Sequence, residues 1–140
     1  MKTLAILLLT LISTATIAQQ TVIWKGGTPG RETSWNEARN WSNYQVPNED
    51  TDVVIKALHT GHHAQPVIDD LVEVKSIALH TGASLTIQEA GSLLIDGEEH
   101  YTLGIVNYGG KLFNNGLIYL THIENFSPEQ LTAYTSGITF

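Results

Sequence analysis

From Asp52 onward, apolar residues come in short runs separated by turn residues: Val53-Val54-Ile55, Pro66-Val67-Ile68, Ser76-Ile77-Ala78-Leu79, Ser84-Leu85-Thr86-Ile87, Ser92-Leu93-Leu94-Ile95, Leu103-Gly104-Ile105-Val106, Lys111-Leu112-Phe113 and Leu117-Ile118-Tyr119-Leu120. None is long enough for an ordinary helix. Apolar and polar positions alternate within the runs, with Leu85 and Ile87 on one face and Thr86 on the other, or Leu112 between Lys111 and Phe113. This period of two predicts strands buried on one face. Gly82, Gly91, Gly97, Gly110 and Gly116 follow or separate the runs, as expected where the chain must turn tightly.

The runs are also regularly spaced. Ile77, Leu85 and Leu93 fall eight residues apart, the length of one short strand plus one turn. Three such sides make a repeat of roughly 20 to 26 residues, the range of stacked-repeat architectures. Ala57-Leu58-His59-Thr60-Gly61 returns verbatim as Ala78-Leu79-His80-Thr81-Gly82, 21 positions later. The pattern predicts an all-β fold, a short parallel β-solenoid of about three rungs; an antiparallel β-sandwich is the alternative. In a solenoid, inward residues of successive rungs stack at about 4.8 Å, so neither end of the apolar interior can be left bare. Two segments are suited to cover the ends. Residues 19–51 hold all three tryptophans, and Ser127-Pro128-Glu129-Gln130 carries a helix-start signature that predicts a short helix from Pro128 to Tyr134.

Ahead of these lies an export signal: Lys2, an apolar run from Leu4 to Ile12 broken only by Thr10, and Thr16-Ile17-Ala18 as the cleavage site. The expected organisation is therefore a signal peptide over 1–18, an N-terminal aromatic cap over 19–51, β-solenoid repeats over 52–124 and a C-terminal cap over 125–140. Export places the mature chain in the periplasm, at the cell surface or outside the cell. With 140 residues the chain is one domain. Its 7 Lys+Arg against 14 Asp+Glu, without any basic cluster, exclude nucleic acid and anionic lipid as partners. There is no cysteine, so stability rests on burial and hydrogen bonding. A thin core with strand edges at its ends makes a second copy a candidate partner.

Three groups of residues could carry chemistry. Trp24, Trp35, Trp41 and Tyr44, flanked by Asn36, Asn40 and Asn43, have the composition of a sugar-stacking surface and equally that of a lid on an apolar core. His59, His62 and His63, with His80 at the matching place of the next repeat, are candidate zinc ligands or a polar turn; stacked rungs would put His59 above His80. Asp50 and Asp52, beside Asn48 and Glu49, offer oxygen ligands for calcium or form a solvated strand entry. The pairs Asp69-Asp70 and Glu98-Glu99 are adjacent, so on a strand they point to opposite faces and cannot bracket one bond. No nucleophile elbow, phosphate loop or His-Glu-x-x-His helix occurs in the sequence.

The order Ile23-Trp24-Lys25-Gly26-Gly27, Ser34-Trp35-Asn36, Asn40-Trp41-Ser42, Val46-Pro47, Asp52-Val53-Val54-Ile55 resembles the entry of secreted adhesin-like β-helix repeat proteins of the Bacteroidetes type. Gly82-Ala83-Ser84-Leu85-Thr86-Ile87, Gly91-Ser92-Leu93-Leu94-Ile95 and Asn115-Gly116-Leu117-Ile118 resemble their repeats. The resemblance implies a cell-surface or extracellular role without proven activity. Such proteins are usually longer and frequently end in a sorting domain, which Phe126 to Phe140 does not resemble. The expectation is an exported structural or adhesive module without catalysis. The alternatives are a carbohydrate-binding module using the aromatic cluster, and a histidine-rich metal-binding envelope protein. A surface glycan or an envelope protein is the expected partner, with no cofactor unless zinc or calcium binds as above.

Overall fold

The computed structural model describes residues 20–58, 64–96 and 104–121. Among the described residues ten short strands form: β1 (Gln20–Ile23), β2 (Thr51–Ile55), β3 (Val67–Ile68), β4 (Leu71–Val74), β5 (Ser76–His80), β6 (Ser84–Ile87), β7 (Ser92–Ile95), β8 (Ile105–Tyr108), β9 (Lys111–Asn114) and β10 (Leu117–Leu120). Among the described residues the only helix is a 3-10 turn over Ala38–Asn40. The expected signal peptide and the helix from Pro128 to Tyr134 lie outside the described residues.

The strands assemble into three sheets, ordered β1-β2-β5-β8, β3-β6-β9 and β4-β7-β10. From β2 onward the chain visits the three sheets in turn and then repeats the cycle, so strands adjacent in a sheet are three apart in sequence. Every strand pairing is parallel. An antiparallel sandwich would pair neighbours joined by hairpins, and none of these sheets is built that way. The eight-residue spacing reappears as strand starts at Ser76, Ser84 and Ser92.

Parallel register lines up like residues. Val22, Val53, Ile77 and Ile105 form one inward row across the first sheet. Leu85 with Leu112, and Val72, Leu93 and Ile118, form others. These side chains from all three sheets join one apolar cluster. Two corners depend on missing side chains: a Cβ on Gly91 or Gly116 would run into backbone carbonyls of the neighbouring layer, Ile68 O for the first and Gly91 O and Gln88 O for the second.

The verbatim five-residue repeat is not the register. Strand β5 pairs with β2 at an offset of 24, so Ala78 lies beside Val54, and Ala57 follows the end of β2. Ala57 instead packs near Gly82 at the following turn.

Candidate functional site

The N-terminal segment is part of the sheets it covers. Strand β1 adds to the edge of β2, and Trp35 N donates to Val67 O while Val67 N donates to Thr33 O, which extends the β3 edge. An antiparallel bridge joins Trp24 to Trp41. The three indoles thereby meet edge to face: Trp24 and Trp41 at 4.8 Å and 78°, Trp35 and Trp41 at 4.7 Å and 71°. Such pairs are worth about 0.5–1.5 kcal/mol beyond the area they bury.

Burial decides what this cluster does. Trp24, Trp35 and Trp41 are at most 1% exposed. A ring that stacks on a sugar must present a face to solvent, so these three act as core, and the sugar-stacking arrangement read for them does not form in this structure. Of the four aromatic candidates only Tyr44 is exposed, at 65%, with Lys25 Nζ 4.1 Å above its ring. Trp24 Nε1 donates to Ala64 O at 2.9 Å and Trp41 Nε1 to Trp35 O at 2.8 Å. Trp35 Nε1 is buried without a partner among the described residues. Gly26, at φ +59°, allows the first of these bonds, because a Cβ there would come within 2.5 Å of Ala64 O and 2.9 Å of Trp24 Nε1.

Asn40 ties the layer together. Fully buried, it donates from Nδ2 to Arg31 O at 2.7 Å and Ser34 O at 3.0 Å, and accepts Thr28 N–H at Oδ1. Its own carbonyl accepts from Lys25 N and Gly26 N. With both side-chain donors and its acceptor engaged by backbone, Asn40 is committed to holding the loop. Glu37 caps the 3-10 turn that positions it, and the hydrogen bond from the Arg39 guanidinium, at 2.9 Å, holds the Glu37 carboxyl below its ordinary value.

The metal candidates do not converge. His59, His62 and His63 lie outside the described residues. His80 sits beside Tyr108 in the register, their ring centres 4.9 Å apart. Asp52 accepts a hydrogen bond from Ser76 Oγ, and Asn48 Oδ1 accepts from Asp50 N and Thr51 Oγ1, closing the turn into β2. Among the described residues no three His, Asp or Glu side chains come together in a metal-ligand set. No helix among them is long and apolar enough to cross a membrane.

A family model described as a domain of unknown function, DUF8693, matches residues 23–123, well over half of the chain. The chain belongs to the DUF8693 family. Its matched span begins at the last residue of β1, so the tryptophan layer and strands β2 to β10 fall within one DUF8693 unit. No curated protein and no solved structure matches the DUF8693 chain.

One feature of the DUF8693 surface went unread in the sequence. At the corner between β8 and β9, a depression of about 350 Å³ is lined by Gly82, Ala83, Ser84, Gly109, Lys111 and Phe113. The signal was the outward Phe113 itself: an apolar ring on the solvent face of a strand.

Proposed function

We propose that this DUF8693 chain is an exported, non-catalytic structural or adhesive module, built as a short parallel β-solenoid of about three rungs. The observation that carries this reading is the cyclic visit to three all-parallel sheets over a shared apolar cluster. The N-terminal tryptophan layer closes the first layer of this stack. Stacked layers of this kind suit a rigid spacer or display surface, since each layer contacts only its neighbours.

Nuclear Overhauser spectroscopy tests the architecture. Stacked parallel strands give amide-to-Hα contacts between β2 and β5 and between β5 and β8; strong Hα–Hα contacts between consecutive strands such as β5 and β6 would refute it. Mass spectrometry of the protein from its host tests export, with Gln19 as the expected first residue and an intact Met1–Ala18 segment as the contrary result.

A further inference from the structure

A depression lies beside β9. We propose that it binds the ring of a neutral saccharide, with Phe113 as the stacking platform and Lys111 and Ser84 as hydrogen-bonding partners. The proposal rests on the adhesive reading above and names the ligand class.

The register builds the site. Pairing of β6 with β9 sets Ser84 beside Lys111 and Thr86 beside Phe113, so two hydroxyls, one ammonium and one phenyl ring share the outer face of two adjacent strands. Phe113 is 49% exposed although its position on the strand demands no apolar residue. A flat apolar ring flanked by a few polar groups in a concavity is the arrangement that recognises a molecule with one apolar face and a polar rim. A pyranose has that form: its C–H groups line a face and its hydroxyls line the edge. Across the Gly109-Gly110 turn stands a second exposed ring, Tyr108, held against His80.

The floor is fixed in advance. Asn107 Oδ1 accepts from Gly109 N at 3.0 Å and Gly110 N at 2.8 Å, and Thr81 Oγ1 donates to Tyr108 O at 2.7 Å. A turn already ordered in the free protein loses little entropy when a ligand settles on it. Charge selects among sugars. Among the described residues Lys111 is the only cation lining the depression, and the chain carries a net charge of −7, so a polyanionic glycan is repelled at long range.

Titrating isotopically labelled protein with maltohexaose, cellohexaose, xylohexaose and mannohexaose at millimolar concentrations tests the site by amide shifts. At least one should shift Gly82 to Ser84 and Gly109 to Phe113. Phe113→Ala, which removes an exposed ring and leaves the core intact, should weaken that binding at least about tenfold, or 1.4 kcal/mol. Trp35→Phe should leave it unchanged. Absence of shifts at these residues with all four sugars would overturn the proposal, as would binding that survives both Phe113→Ala and Lys111→Ala, or a preference for polygalacturonate. Failure here leaves the strand-contact pattern of the module untouched, so the two readings fail separately.

Discussion

The first and last described layers of the three parallel sheets differ in chemistry. At the N-terminal end, three indoles and Asn40 are sealed from solvent and the segment pairs with the edges of two sheets. At the other end, β8, β9 and β10 are the outermost strands described, and the register shows polar residues entering the core columns. Asn107 stands where Leu79 stands one layer earlier, and Asn114 where Ile87 stands. Their side chains close turns, Asn114 accepting Gly116 N–H and Asn107 the two glycine amides. Ile118 and Leu120, in the columns of Leu93 and Ile95, are only partly buried. Tryptophan thus covers the apolar columns at the first layer, and asparagine replaces part of them at the last layer described with groups that bond to backbone.

Substitutions at the two ends should therefore differ widely in cost. Trp41→Ala removes the indole between the other two and should cost about 3–5 kcal/mol, whereas Tyr119→Ala, at a half-exposed ring, should cost below about 0.5 kcal/mol. Urea unfolding of both variants reads the contrast, and equal losses would dissolve it. Asn40→Ala strands two backbone carbonyls and an amide in a buried site, each worth about 1–3 kcal/mol when unpaired. Asn114→Ala loses one hydrogen bond at a half-buried site, about 0.5–1.5 kcal/mol, and the same unfolding curves should rank the pair in that order.

A finer comparison lies inside the tryptophan layer. Trp41→Phe abolishes the bond to Trp35 O, while Trp35→Phe removes a donor that has no partner among the described residues. Trp41→Phe should be the more destabilising by about 1 kcal/mol; the reverse order in thermal unfolding would mean that the Trp35 N–H is satisfied. The smallest effect concerns Glu37. Its carboxyl is held below its ordinary value of 4.5, so the unfolded chain takes up the proton first as pH falls. The stabilisation is complete above about pH 5 and is lost on acidification through the folded pKa. Glu37→Gln should flatten the acid side of the stability profile slightly, and an unchanged profile would remove Glu37 from the account.

The strands with clean alternation and an eight-residue step were legible: Ser76, Ser84 and Ser92 open β5, β6 and β7 as the spacing implied. Strand β4 was not, because only Lys75 separates it from β5 and no glycine marks the corner. A signal was present in the phase. Inward residues fall on Val72 and Val74, then on Ile77 and Leu79, so the alternation slips by one at the corner. Strand β1 was hidden within the aromatic segment, whose pairing partner lies some thirty residues away in Thr51 to Val54. At the site level, composition named the tryptophans and Asn40, yet composition is blind to burial. The same residues make a sugar platform or a plug, and only the edge pairing of Thr33 to Trp35 and β1 turns the rings inward.

The burial of those rings is the claim on which the comparison stands, and acrylamide quenching of tryptophan fluorescence measures it directly. Three sealed indoles predict blue-shifted emission, weak quenching and no response to any sugar that binds beside Phe113. Emission near that of free tryptophan, with quenching to match, would contradict the burial of the tryptophan layer.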